Sequence, residues 1–342
     1  MHTRTTATYE DALADKSRPS AASAEPKTIR GRATAVSLRL RQRADQGVMS
    51  FPLTPFSDDG ATIEPEVFRA HVRRQIDAGT AAIFPCCGTG EFFSLTEDEY
   101  VTLVRIAAEE AAGTVPVISG TGYGWSTAAR FAERAAEAGA DGLLVLPHYL
   151  VKAPQSGLVA HIRQLAARTE LPLILYQREQ VKYSAAALVE LESVPNVIGL
   201  KDGHSDLDQL QRLRLAMPES FLMFNGAQTA EMQARQYSSI GIVAYSSAVH
   251  SFAPEIASSF FLALRAGDSE RVDLLLRTFY LPFVELRDRQ LGYSVALVKA
   301  AAKLRGENVG PVRAPLVDPT RDDLNDLEAL LRRGLATAGA EL

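Results

Sequence analysis

Two cysteines are all the chain contains, and they are neighbours, Cys86 and Cys87. No disulfide framework and no spaced thiolate site can be built from such a pair. Adjacent strand residues point to opposite faces, which also argues against a shared ligand role. A reducing compartment, the cytoplasm, is the expectation. No apolar run approaches the roughly 18–20 residues that span a bilayer, so no membrane partner is expected. Excess charge of one sign is missing too. A net charge of −5 offers no electrostatic reason to expect nucleic acid or an anionic membrane as partner. Carboxylates and histidines do not cluster at ligand spacing, so no metal is expected. No Gly-x-x-x-x-Gly-Lys-Ser/Thr phosphate loop is present. Gly120-Thr-Gly122-Tyr-Gly124 fails as a dinucleotide fingerprint, because its third glycine comes one position early and Asp141 precedes its strand instead of ending it. No cofactor is expected on these grounds.

What is there is ordinary in composition and regular in pattern. The 342 residues are 46% hydrophobic and 23% charged, enough for one large α/β domain or two smaller ones. Residues 1–45 read differently from the rest. Met1–Lys27 is rich in Thr, Ala, Ser and charge, without hydrophobic periodicity, and is expected to be disordered. It has no apolar core of the secretory kind, and Glu10, Asp11, Asp15 and Glu25 count against a transit peptide. Ala33–Arg43 is expected to form a short helix leading into the domain.

From Gly47 onward one rhythm repeats. Strands are expected at Val48–Leu53, Ala81–Pro85, Val115–Ser119, Gly142–Leu146, Leu171–Tyr176, Val197–Lys201, Phe221–Asn225 and Ile240–Tyr245. Helices are expected at Glu64–Asp77, Thr96–Ala112, Trp125–Ala138, Gln155–Thr169, Ser184–Ser193, Ser205–Met217, Gln228–Tyr237 and from Pro254. Thr96 and Glu99 have capping-box spacing at the start of the second. The strands are almost continuously apolar, as strands buried on both faces should be. Eight strand–helix units indicate an α/β fold, a (β/α)8 TIM barrel, in preference to a doubly wound sheet. The barrel's strands and their helices are assigned to residues 46–253. Residues 254–342 hold the last barrel helix and a C-terminal helical extension over Asp268–Arg289, Tyr293–Leu304 and Arg321–Leu335, read as an appendix packed on the barrel.

In such a barrel the chemistry sits at the carboxyl ends of the strands. Those positions hold Thr54, the Gly88-Thr89-Gly90-Glu91 loop, Gly120–Gly122, His148-Tyr149, Tyr176, Lys201, Asn225 and Tyr245-Ser246-Ser247. Lys201 has two readings. It is a solvated charge where the strand leaves the core, or an amine in an apolar pocket with its pKa lowered, ready to attack a carbonyl. Tyr176 ends the preceding strand, so the two tips are expected to meet over the barrel mouth, where a phenol beside an amine can shuttle protons. Taken alone, a tyrosine such as Tyr176 is more often a strand-end packing residue than a proton carrier. Successive N–H groups of Gly88–Glu91 with the Thr89 hydroxyl can cradle a carboxylate, or simply make a turn.

Phe51-Pro-Leu-Thr-Pro-Phe56, Gly88-Thr-Gly-Glu-Phe-Phe-Ser-Leu-Thr96, Leu146-Pro-His-Tyr-Leu150, Lys201-Asp-Gly203 and Tyr245-Ser-Ser-Ala-Val249 together resemble the lysine-dependent pyruvate aldolase superfamily. That superfamily includes dihydrodipicolinate synthase and N-acetylneuraminate lyase. Gly122-Tyr-Gly124, Tyr280-Leu-Pro-Phe283, Gly292-Tyr-Ser-Val295 and Gly310-Pro-Val-Arg-Ala-Pro-Leu316 extend the likeness over roughly Gly47 to Leu316. Cys87 ahead of Gly88 favours the branch of 5-dehydro-4-deoxyglucarate dehydratases. The resemblance implies a lyase in which Lys201 forms a Schiff base and Tyr176 assists as proton shuttle. It implies that Gly88, Thr89 and Gly90 hold the carboxylate beside the keto group of a small keto-acid substrate. Tyr149 matches a tyrosine that approaches a neighbouring subunit's site, which implies a homodimer or homotetramer. Thr54, Asn225, Ser246 and Ser247 are further substrate-binding candidates. The chain departs from the pattern at Gln177 and Glu179, where Asn and Asp are expected, and at His204, where a smaller hydroxyl residue is expected. An aldolase acting on another 2-keto acid and a non-catalytic keto-acid sensor are the alternative readings.

Overall fold

The computed structural model describes residues 28–342, so the expectation for Met1–Lys27 lies outside the described residues. The first helix, α1 (Ile29–Ala44), is longer than the Ala33–Arg43 expected. Thr28 extends it at the start, where its hydroxyl accepts from Gly31 N–H at 3.1 Å. The helix lies against the amino-terminal ends of the barrel strands. Ser37 Oγ donates to the Ser220 carbonyl at 3.2 Å, and Arg43 donates to the carbonyls of Thr80 and Ala81 at 3.0 and 2.9 Å.

The eight strands among the described residues are β1 (Met49–Ser50), β2 (Ala82–Ile83), β3 (Ile118–Thr121), β4 (Gly142–Val145), β5 (Leu173–Gln177), β6 (Val197–Asp202), β7 (Leu222–Asn225) and β8 (Ala244–Ser247). All pair in parallel, in the order β2-β1-β8-β7-β6-β5-β4-β3. A parallel bridge between Ile83 and Val117 brings the two ends of that order together. The helices after the successive strands are α2 (Pro65–Asp77), α3 (Glu97–Ala111), α4 (Trp125–Glu137), α5 (Gln155–Ala166), α6 (Ala185–Glu192), α7 (Leu207–Ala216), α8 (Ala234–Ser239) and α9 (Pro254–Ala266). Every strand residue is buried, which is why the strands are apolar throughout rather than alternating. The Thr96–Glu99 capping box forms at the start of α3 as its spacing predicted.

Several boundaries moved, each for a local reason. The first strand pairs over two residues only, because Leu53 N–H turns to His71 Nε2 at 3.1 Å instead of to a neighbouring strand. The third begins at Ile118 rather than Val115: Pro116 has no N–H, and that of Val117 goes to Asp141 Oδ2 at 2.9 Å. The eighth begins at Ala244, since Ile242 N–H bonds back to the Tyr237 carbonyl at 2.9 Å and keeps the approach in a turn. The helix expected over Gln228–Tyr237 is a 3-10 turn, Ala230–Gln233, running into α8.

Beyond α9 come α10 (Ser269–Leu275), a π-helical turn (Leu276–Tyr280), α11 (Leu281–Arg287), α12 (Tyr293–Leu304) and α13 (Arg321–Ala338). The helix expected over Asp268–Arg289 is thus interrupted. Pro282 has no N–H for the Thr278 carbonyl four residues back, and that carbonyl accepts from Arg333 Nε at 2.8 Å instead. These helices enclose a core of their own, with Phe260, Phe279, Leu297 and Leu331, joined to the barrel through Leu53 and Tyr245. The stretch between α12 and α13 then returns over the carboxyl ends of the strands. Phe56 N–H bonds the Val309 carbonyl at 3.1 Å, and Arg313 forms an ion pair with Glu99 at 2.6 Å. The C-terminal helices therefore wall one side of the mouth.

Candidate active site

A cavity of about 700 Å³ opens at the carboxyl ends of the strands. Lys201 enters it from β6. The strand holds the backbone in the core while its last turn of pleat aims the amine inward, and only 6% of the residue is exposed. Its Nζ lies 3.9 Å from the centre of the Phe51 ring and 4.5 Å from that of Tyr176. Among the described residues no carboxylate pairs with it. Burial pushes its pKa down to about 7, and the Arg178 guanidinium nearby adds to that; a Cys87 thiolate would oppose it. Burial holds the Cys87 thiol near 12, however, so it is neutral and does not oppose. An amine in this setting is substantially unprotonated near neutrality and can add to a carbonyl.

Room for that side chain is made by Gly226, just past β7. A Cβ there would stand 2.3 Å from Lys201 Cε and 2.4 Å from Cγ. No other residue type fits beside an inward-aimed lysine at this point.

Tyr176 is the register partner of Lys201 on β5. Its hydroxyl donates to the Gly226 carbonyl at 3.2 Å and accepts from Arg178 Nη1 at 3.2 Å. Burial raises the phenol's pKa, and Arg178 pulls the other way. The phenol is thus protonated at rest, with a cation placed to steady its anion.

Gly88 and Thr89 line the cavity from the loop after β2, with Ser246 from β8 and Tyr149 at the outer rim. Tyr149 is 69% exposed. The other candidates are not brought to the cavity wall. Gly90 faces backbone of its own loop and of the stretch after β1: a Cβ would meet Cys86 N at 3.1 Å and the Pro52 carbonyl at 3.2 Å. Thr54 is buried and donates to the Gly90 carbonyl at 2.7 Å. Asn225 folds back on its own loop, donating to the Ala230 carbonyl and accepting from Ala227 N–H, both at 3.0 Å. Ser247 points outward from the barrel and donates to Glu231 Oε1 at 2.5 Å. Strand alternation explains the contrast, since Ser246 faces in and Ser247 must face out.

The β2 loop is held from outside the barrel. Cys86 and Glu91 both take left-handed backbone, at φ 52° and 55°, which folds Gly88–Gly90 over the mouth. Glu91 Oε1 lies 2.7 Å from Lys299 Nζ of α12, and its Oε2 accepts from Arg313 N–H at 2.9 Å.

The departures at Gln177 and His204 prove to lie behind the cavity. Gln177 donates to Asp202 Oδ1 at 2.5 Å and to Gln209 Oε1 at 3.1 Å; His204 Nε2 meets the Val181 carbonyl at 2.8 Å. Glu179 does line the cavity, where it pairs with Arg178 at 3.1 Å. Phe51, Arg178, Gly226 and Arg287 also line it, though none was singled out from sequence. The first three stand within or beside strand-end motifs, so strand-end position was the available signal. Arg287 belongs to α11, and no strand-end reading could reach it.

Residues 44–333 match the model of the "Dihydrodipicolinate synthetase family". A Streptomyces avermitilis protein named "Probable 5-dehydro-4-deoxyglucarate dehydratase 2" is 63% identical over 308 residues, 90% of this chain and 93% of that one. A Chelativorans protein named "Probable 5-dehydro-4-deoxyglucarate dehydratase" is 43% identical over 83% of this chain and 94% of its own. Among solved structures, dihydrodipicolinate synthase from Bacillus clausii superposes with a TM-score of 0.76 at 28% identity, covering 85% of this chain and 98% of that one.

Proposed function

This chain belongs to the dihydrodipicolinate synthetase family, and from that premise we propose that it is a lyase that removes water and CO2 from 5-dehydro-4-deoxyglucarate, leaving 2,5-dioxopentanoate. The observation that carries the chemistry is the state of Lys201: buried, without a carboxylate partner among the described residues, with a pKa near 7, and facing the cavity.

In this reading the carboxylate beside the ketone docks on Gly88 and Thr89, and the Lys201 amine adds to the ketone. Loss of water from the carbinolamine gives an iminium. Its positive nitrogen acidifies the neighbouring CH2, and loss of that proton yields an enamine. The enamine's electrons expel the hydroxyl one carbon further along as water, leaving an iminium conjugated with a new double bond. That conjugated iminium accepts the electron pair released when the distal carboxylate departs as CO2. Protonation of the resulting dienamine and enol, then hydrolysis of the iminium, frees the aldehyde keto acid and restores the amine. The lysine nitrogen is the electron sink throughout, so the scheme calls on no cofactor. Tyr176 is the proton carrier for the carbinolamine steps: its hydroxyl already sits between Arg178 and the Gly226 carbonyl, beside the amine. The exposed Tyr149 rim is the part of the surface we assign to contact with a second copy of the chain, in a homodimer or homotetramer.

Purified protein incubated with 5-dehydro-4-deoxyglucarate should release CO2 and the aldehyde without a second carbonyl partner. Borohydride added during turnover should fix the substrate skeleton on Lys201, and Lys201→Ala should abolish both signals. Tyr176→Phe should slow turnover by about a hundredfold or more, the usual worth of a positioned acid–base group. Label on Lys182 or Lys299, or full activity in Lys201→Ala, would end the imine reading.

A further inference from the structure

The cavity holds a second cation that the imine chemistry leaves unused. Arg287 closes α11, and its side chain is only 13% exposed. Nη1 donates to Thr229 Oγ1 at 2.7 Å and Nε to Asp288 Oδ1 at 2.8 Å. Among the described residues Nη2 has no partner, while the residue lines the cavity. Asp288 is 60% exposed, so water screens much of its charge from the guanidinium. The other cavity guanidinium, Arg178, is already committed to Glu179 and the Tyr176 hydroxyl.

The placement matters as much as the charge. Thr229 belongs to the loop after β7, and Gly226 at that loop's start abuts Lys201. In the barrel order, β2 stands four strands from β6 and three from β7. A keto acid with its carboxylate on the β2 loop and its ketone at Lys201 therefore spans the mouth, and its remaining carbons lie beside β6, next to the β7 loop that holds Arg287 through Thr229. A half-open guanidinium with a free N–H is suited to a carboxylate arriving there.

The geometry points to Arg287 as the receptor for the substrate's distal carboxylate, which makes the site selective for dicarboxylic over monocarboxylic keto acids. This rests on the imine reading above. A substitution at Arg287 removes binding shared by the bound substrate and every transition state up to the loss of CO2, so with those steps limiting it acts on KM rather than on kcat.

The test compares wild type with Arg287→Gln and Arg287→Lys on three probes. One is 5-dehydro-4-deoxyglucarate; the second is a 4-hydroxy-2-oxo acid of the same length ending in a hydroxymethyl group; the third is pyruvate trapped by borohydride. Arg287→Gln should raise KM for the dicarboxylate about a hundredfold, as loss of a charge-assisted bond in a buried setting does, with kcat little changed. KM for the hydroxymethyl acid should stay put, and pyruvate should label Lys201 as in wild type, which also reports an intact fold. Arg287→Lys should recover part of the loss. An unchanged dicarboxylate KM, or an equal rise for both acids, overturns the assignment of Arg287 alone. A wild type that pyruvate fails to label at Lys201 overturns the imine reading and this inference with it.

Discussion

Lys299 Nζ and Glu91 Oε1 stand 2.7 Å apart, and neither side chain reaches solvent. One comes from a helix of the C-terminal extension; the other ends the loop that carries Gly88 and Thr89. Lys299 also donates to the Pro311 carbonyl at 2.7 Å and lies 4.0 Å from the centre of the Phe56 ring. Burial draws its pKa down to about 8, with Glu91 restraining the fall. The extension thus clamps the loop through a desolvated ion pair.

Removing one partner of such a pair strands the other charge. Lys299→Met should cost about 3–5 kcal/mol in denaturant unfolding, whereas Lys299→Met combined with Glu91→Gln should recover much of that. Surviving Lys299→Met protein should show a raised KM for keto acids, because Glu91 N–H also holds the Gly88 carbonyl at 3.1 Å. A double variant as unstable as the single one would count against the ion pair as the cause.

Gly226→Ala places a methyl group inside the space Lys201 occupies, 2.3 Å from its Cε. A flexible side chain gives way rather than backbone, so the unfolding midpoint should move little. The displaced amine loses its alignment, and kcat/KM should fall by about a hundredfold, the scale of a misplacement near 1 Å. Steady-state kinetics beside thermal unfolding read both effects, and near-normal activity would show that the lysine has another productive pose.

The pH dependence follows from the same amine. Carbonyl addition needs the neutral form, so kcat/KM should climb with pH through about 7 and flatten above it, dropping about tenfold per unit on the acid side. Arg178→Met removes a cation that holds the amine's pKa down, so the limb should shift to higher pH. For stability the sign is the same: a lysine whose folded pKa lies below its unfolded value near 10.5 favours folding more as pH rises from about 7 toward 10.5. A rate profile flat from pH 5 to 9 would remove the acid limb and the neutral-amine requirement with it.

Much of this was legible in the chain itself. Eight apolar runs separated by amphipathic helices specify a parallel barrel, because only strands buried on both faces can be apolar throughout. Barrel geometry then places Lys201 and Tyr176 on neighbouring strands at one rim. Strand interiors were found more reliably than strand ends, since the ends depend on single hydrogen bonds, such as that of Leu53 N–H to His71, made by residues distant in sequence.

Lys201 entered as a residue with two readings, a solvated charge or a buried amine. Periodicity put it at the rim, but tertiary packing alone buried it against Phe51 and cleared its path at Gly226. The same holds for the departures from the family pattern. Gln177 and His204 look in sequence like changes to the pocket, but strand alternation turns Gln177 away from it and the loop after β6 carries His204 to the Val181 carbonyl. Arg287 and Lys299 are the converse case. Both lie some hundred residues past the lysine, on helices whose docking onto the barrel mouth no local pattern encodes. The order of elements and a lysine at the barrel rim were therefore written in the sequence as periodicity and residue type. Which groups face the cavity, and what holds the loop after β2 in place, was decided only when the chain's far end packed across its beginning.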